Sequence, residues 1–163
     1  MPLSLPPKAT YVVGVISDTH GLMRAEALRA LAGAELIIHA GDIGRPEVLD
    51  ALRTVAPAVV AVRGNNDREA WARAIAETET IHLGELRLYL LHALQELTLD
   101  PSASGFDVVV SGHSHRPSIE RRDGVLYLNP GSAGARRFKL PVSVARLTVR
   151  GRSCRARIIE LEV

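Results

Sequence analysis

Five apolar runs along the chain end in a polar tip. VVGVIS (12–17) leads into Asp18 and His20, and ELIIHAG (35–41) into Asp42. PAVVAVRG (57–64) leads into Asn65, LRLYLL (86–91) into His92, and FDVVVSG (106–112) into His113 and His115. An apolar, β-rich run bounded by turn residues reads as a buried strand emptying into a loop. Between the first strands, LMRAEALRALAG (22–33), RPEVLDALRTV (45–55) and REAWARAIAE (68–77) space their apolar residues helically. Gly33 suits a helix C-terminus, and Pro46 an early helical position where its missing donor is harmless. Strand–helix alternation of this kind predicts a parallel sheet.

The second half follows a period of two. Residues 80–92 predict a hairpin turning at Gly84–Glu85, and residues 118–132 a second, turning at Asp123–Gly124. PVSVARLTV (141–149) and CRARIIELEV (154–163) predict a third, turning near Arg150–Gly151. The whole pattern is α/β, with two sheets packed face to face and flanked by helices. A single domain over 11–163 is expected, after an unstructured lead-in over 1–10.

At 163 residues the chain can bury a core, and with an aromatic content of 4% that core must be built from Ala, Val and Leu. Cys154 is the single cysteine, which excludes an internal disulfide and a thiolate metal cluster. A reducing, cytoplasmic location is the expectation. No apolar stretch is long enough to span a bilayer, so no membrane partner is expected. The net charge of +2 is uneven: residues 1–110 carry 9 Lys/Arg and 14 Asp/Glu, residues 111–163 carry 11 and 4. The arginines at 146, 150, 152, 155 and 157 could attract a phosphorylated substrate, but their spacing along strands is that of a solvated sheet face.

In an open α/β sheet, ligands gather outside the carboxyl ends of the strands. A lone Asp-x-His is weak evidence for a metal. Two His-containing pairs (Asp18/His20 and His113/His115) together with Asp42, Asn65 and His92 are not. Each pair is spaced i, i+2, which in extended backbone sends both side chains to one side. Mixed imidazole and oxygen donors favour Mn, Fe, Ni, Co or Zn over Mg or Ca. Seven donors exceed one ion's needs and suffice for two if a carboxylate bridges, with Asp42 the natural bridge.

The ordered set SDTH, GDIG, GNND, LLH and GHSH, followed by NPGS (129–132), resembles the calcineurin-like metallophosphoesterases, and within them the small YfcE-like prokaryotic branch. The resemblance implies a four-layer αββα sandwich with a dinuclear centre at the sheet edge. It implies a first ion held by Asp18, His20, Asp42 and His115, and a second held by Asp42, Asn65, His92 and His113. Two positions depart from the general pattern: Asn66 stands where a proton-delivering His is usual, and Ala93 where Gly is usual.

The expected function is a phosphoester hydrolase, a diesterase before a monoesterase, using a metal-bridging hydroxide with Asp42 and Asn65 as the catalytic pair. Two divalent ions are expected per chain, manganese foremost. Asn66, Arg45, Arg116 and Asn129 are the candidate substrate contacts, and the partner is a small phosphoester. Nucleic acid as substrate has only the basic C-terminal third in its favour, without interleaved aromatics. The competing class is a non-catalytic scaffold on the same fold, as in the retromer subunit of this architecture. His39, inside an apolar run, reads first as a satisfied core histidine and second as a support behind Asp42.

Overall fold

The computed structural model describes residues 2–163. Its first sheet holds β2 (Thr10–Ile16), β3 (Leu36–His39), β4 (Ala58–Ala61), β10 (Ser143–Arg150) and β11 (Ser153–Glu160) in the order β11-β10-β2-β3-β4. β2, β3 and β4 run parallel, while β10 and β11 are antiparallel additions. The second sheet holds β1 (Leu3–Ser4), β5 (Thr78–Leu83), β6 (Leu86–Leu91), β7 (Val108–Val110), β8 (Ser118–Arg122) and β9 (Val125–Asn129) in the order β1-β5-β6-β7-β9-β8. β6, β7 and β9 run parallel.

The period of two in the strands builds the layers. Val13 and Val15 point between the sheets and meet a core with Leu36, Ile38, Leu88, Leu90, Val108 and Leu128. Ile16 and Ile37 point the other way, under α1 (Ala25–Leu31) and α2 (Pro46–Arg53), where Ala27, Leu31, Val48 and Leu52 cover them. Gly14 shares that outer face with Ile16 and must be small, since a Cβ there would stand 2.7 Å from Leu31. The outside of the second sheet is covered more thinly. Leu91, Val109 and Val125 are buried there, with Leu94 and Leu97, at the two ends of a 3-10 turn over Leu94–Glu96, packed against them and half-buried. Two mixed sheets face to face, with helices outside, form the expected sandwich.

Three expectations shift in detail. The segment 68–77 holds a 3-10 helix at Ala70–Ala74, with Trp71 packed on the helix-side core. The last hairpin turns at Gly151 and Arg152, one residue late. The lead-in is structured: Leu3 and Ser4 pair in parallel with Ile81 and His82, and Leu3 and Leu5 pack on the central core. The Tyr11 hydroxyl secures it by donating to the Pro6 carbonyl at 2.9 Å and accepting from the Lys8 N–H at 3.0 Å. Alternating leucines give this short segment an apolar face, which suffices to cover the edge of β5. No helix is long and apolar enough to cross a membrane among the described residues.

Candidate metal centre

The carboxyl ends of β2, β3, β4, β6 and β7 meet at one edge of the sandwich. The first-sheet tips are laced together: Asp18 N–H donates to the Gly41 carbonyl, His20 N–H to that of Asp42, and Gly21 N–H to that of Ile43. The two sheets are joined by the His113 N–H, which donates to Asp18 Oδ2 at 3.0 Å. Glycine makes this convergence sterically feasible. A Cβ on Gly64 would lie 2.1 Å from Asp42 Oδ1, and one on Gly112 would lie 2.0 Å from Ser17 Oγ.

All seven sequence-designated donors are brought together, in two groups. Asp18 Oδ1 lies 3.4 Å from His115 Nε2 and 3.8 Å from His20 Nε2. His113 Nδ1 lies 3.2 Å from Asn65 Oδ1 and 3.3 Å from His92 Nε2. Asp42 Oδ2 stands between the groups, 3.8 Å from His20 Nε2 and 3.4 Å from His92 Nε2. Asp18 Oδ1 also comes within 3.9 Å of His92 Nε2, so both carboxylates border both groups. His20 and His113 are partly open to solvent, whereas Asp18, Asp42, His92 and His115 are buried.

The extended-backbone argument for the i, i+2 pairs does not hold. Asp18, His20, Asp42, His113 and His115 all adopt positive φ, between 47° and 71°. Asp and His tolerate the left-handed region better than most residues, yet it is uncommon for them. Five such residues at one sheet edge are the strained backbone that functional sites concentrate.

The donors are also held ready. Asp18 anchors one oxygen, Oδ2, on the Ser17 hydroxyl at 2.6 Å and the His113 N–H. Its other oxygen, Oδ1, is buried without a hydrogen-bond donor, as is His115 Nδ1. His92 donates Nδ1–H to the Ala40 carbonyl at 2.7 Å, which fixes its tautomer and aims Nε2 at the carboxylates. Burial alone would raise both carboxyl pKa values. His115, Ser17 and the His92 charge outweigh it at Asp18, and His92 with the Asn66 N–H outweigh it at Asp42, so both stay below the usual carboxylate range. Burial pulls His92 down, but its bond to Asp42 and the Asp18 charge lift it above its ordinary value. His92 Nε2 lies between two carboxylates that favour positive charge there. An orphaned carboxylate oxygen facing the imidazole nitrogens, and this preference for positive charge, fit divalent ions.

Three of the four candidate substrate contacts are engaged by the protein itself. Asn66 donates its backbone N–H to Asp42 Oδ1 at 2.9 Å and its amide to Oδ2 at 3.0 Å. Arg45 grips the Gly21 carbonyl at 2.8 Å, bracing the loop of His20. Asn129 is buried and donates to the Gly112 carbonyl and to Ser114 Oγ, while its Oδ1 accepts from Gly131 N–H. It ties NPGS to the loop of His113 and borders a hollow beside that histidine. Arg116 is exposed, with no side-chain partner among the described residues. Ala93 sits at φ −115°, where a methyl adds no strain.

Two supporting residues, Asp67 and Thr19, were not singled out, and Ser132 of NPGS supports the site too. Asp67 is buried and accepts the N–H groups of Ile43, Gly44 and Gly64 at 3.1, 3.0 and 2.9 Å, clamping GDIG to GNND. Its place in GNND was the available signal. The Ser132 hydroxyl donates to the Asp18 carbonyl. Thr19 donates to the Ile43 carbonyl and so accepts from His39 Nε2 at 3.0 Å, while His39 Nδ1 accepts the Gly41 N–H. His39 is thus a satisfied core histidine that also braces the loops of both aspartates. Burial pushes its pKa down to about 4.

Two hollows flank His113 and share Gln95. One, of about 240 Å³, is bordered by Arg63, Asn65 and His92. The other, of about 230 Å³, is bordered by Leu94, Ser114 and Tyr127.

Residues 12–152 match the calcineurin-like phosphoesterase superfamily domain. A probable metallophosphoesterase of Methanothermobacter thermautotrophicus is 37% identical over 159 residues, covering 91% of each chain. The phosphodiesterase YfcE of Escherichia coli is 32% identical over 154 residues, covering 80% of this chain and 84% of its own. The crystal structure of Vps29 from Chaetomium thermophilum shares the fold, with a TM-score of 0.80 at 21% identity over 93% of this chain and 88% of that one. The chain belongs to the calcineurin-like phosphoesterase superfamily, in the branch that includes YfcE.

Proposed function

We propose that the protein is a phosphodiesterase working with two divalent ions, manganese foremost, held by the seven donors. The observation that carries this reading is the position of Asp42 Oδ2 between His20 on one side and His92 on the other. Asp18, His20, Asp42 and His115 would hold one ion, and Asp42, Asn65, His92 and His113 the second. Such a pair supplies Lewis acidity toward phosphoryl oxygens and a water acidified to a pKa of about 7.

The chain's own residues set the rest. Asp18 and Asp42 enter as carboxylates, and the Ala40 carbonyl keeps His92 Nε2 unprotonated and directed inward once a cation replaces the proton. Asn65 offers Oδ1 to the donor group and keeps its amide free to hydrogen-bond a phosphoryl oxygen. Asn66 is engaged by Asp42 and carries no acidic proton, so the leaving oxygen departs without a side-chain acid at that position. Esters with acidic leaving groups are therefore the better substrates. The two hollows beside His113 suit a phosphorus bearing two organic substituents, which supports a diester over a monoester.

The scaffold reading takes its support from the Vps29 fold. Seven converging donors and a strained, orphaned carboxylate count against it, since docking requires neither. A nuclease would draw on the C-terminal arginines. Arg155 and Arg157 project from the edge strand β11, and Arg146 donates to the Ala30 carbonyl beneath α1, so these residues serve the sheet surface.

The test is hydrolysis by protein stripped with chelator and reloaded with Mn, Fe, Ni, Co or Zn. Bis(p-nitrophenyl) phosphate should be cleaved faster than p-nitrophenyl phosphate. No hydrolysis of either with any metal would contradict the enzyme reading.

A further inference from the structure

Among the described residues, one large apolar side chain is almost completely exposed. Phe138 is 93% exposed, while Leu22, Ile119 and Val163, the next most exposed, lie between 41% and 48%. A single exposed apolar residue needs no explanation in general. Phe138 is different in backbone and in company. It has φ 53° and opens a turn closed by the Leu140 N–H on the Arg137 carbonyl at 3.1 Å. Glycine or asparagine is usual at a positive-φ turn position, and a bulky ring there is strained. No packing compensates for that strain. Arg136, Arg137 and Lys139 flank the ring, all exposed and without a carboxylate partner among the described residues.

The turn also has a defined origin. The Ala133 N–H donates to the Ser17 carbonyl at 3.0 Å, and a Cβ on Gly134 would stand 2.5 Å from the Asp18 carbonyl oxygen. Arg24 donates to the Gly134 carbonyl at 3.2 Å, which ties the base of the turn to the loop that follows His20. Phe138 is four residues beyond Gly134. At no more than about 3.6 Å per residue it lies within roughly 14 Å of Gly134, which itself packs on the Asp18 carbonyl. A ring with three cations on a strained turn therefore follows directly on backbone that packs against Ser17 and Asp18.

We propose that the turn Arg136–Lys139 is a recognition loop for nucleotidyl phosphodiesters. Phe138 stacks on the base of the non-leaving substituent, and Arg136, Arg137 and Lys139 pair with a further phosphate on that nucleotide. This rests on the phosphodiesterase reading above and names its substrate class. Base–aromatic stacking tolerates any base, and arginine beside the ring adds to it. Phosphate is matched by the guanidinium fork.

The experiment compares two esters with the same leaving group on the manganese-loaded enzyme. These are thymidine 5′-(p-nitrophenyl phosphate) and methyl p-nitrophenyl phosphate. Phe138→Ala should raise KM about tenfold for the thymidine ester, leave its kcat near wild type, and leave both constants unchanged for the methyl ester. Arg136→Ala/Arg137→Ala should abolish the preference for the 3′-phosphorylated thymidine ester over the plain one. Calorimetry with thymidine 3′,5′-bisphosphate should show the same losses of binding without turnover. If neither ester is hydrolysed with any metal, the phosphodiesterase reading fails, while loss of bisphosphate binding in Phe138→Ala would still sustain the loop as a nucleotide site. Parallel changes for both esters, or none for either with binding unchanged, would overturn the proposal. Loss of binding to phosphatidylserine vesicles with unchanged ester kinetics would overturn it too, by making the turn a membrane contact.

Discussion

Asn66 satisfies both oxygens of Asp42, through its backbone N–H at 2.9 Å and its side-chain amide at 3.0 Å. The residue in the position of a proton donor is therefore a support for the carboxylate between the two donor groups. Asn66→Ala should weaken metal binding by about 10- to 100-fold, the usual loss when such a supporting hydrogen bond is removed. The steep fall of rate with leaving-group pKa should be unchanged at saturating metal. A shallower slope in the wild type than in Asn66→Ala would show that Asn66 does assist the leaving group.

Asp42 faces both groups and each histidine faces one. Asp42→Asn should therefore lower activity at least about tenfold more than His92→Ala or His113→Ala, a further loss of about 1.4 kcal/mol in the barrier. Kinetics at matched, saturating metal check this. Equal losses for all three would mean that Asp42 does not serve both sides.

Asp67 satisfies three backbone N–H groups from two loops. Asp67→Ala strands buried donors and should cost about 3 kcal/mol, seen as a fall in Tm of roughly 10 °C for a chain of this size. Asp67→Asn, which keeps an acceptor, should lose less. A variant as stable as wild type by thermal denaturation would remove Asp67 from the account.

His39 is buried and neutral, with its pKa lowered from 6.5 to about 4. Between these values the unfolded chain binds a proton that the folded chain does not. Stability from His39 is thus fully present above pH 6.5 and lost as pH falls toward 4, by about 3 kcal/mol in total. His92, with a raised pKa, acts in the opposite sense, so the comparison must be between variants. In denaturant titrations of metal-free protein, His39→Gln should show a flatter loss of stability over this window than wild type. Identical slopes would mean that His39 titrates normally.

The strand order of motifs was legible because apolar runs ending in Asp, Asn or His record both a buried strand and its tip. The hairpins were legible from Gly84, Asp123 and Gly124, which fix turns locally. What did not show was direction. Asp18, His20, Asp42, His113 and His115 meet through positive φ, and periodicity carries no information on the backbone angle of a loop residue. For the same reason the bonds of Asn66, Arg45 and Asn129 to Asp42, Gly21 and Gly112 could not be read from their neighbours in sequence. Leu3 and Leu5 form too short an alternation to mark a strand by themselves, yet Leu3 pairs with β5 and both pack on the core.

The central claim is that seven side chains form a site for two ions sharing Asp42. Protein stripped with chelator and titrated with manganese, with bound metal measured by elemental analysis after dialysis, tests it most directly. The account predicts saturation near two ions per chain in the wild type and a marked loss of bound metal in Asp42→Ala. Saturation at one ion would contradict the shared-carboxylate arrangement, and a chain that stays metal-free in excess manganese would contradict the account as a whole.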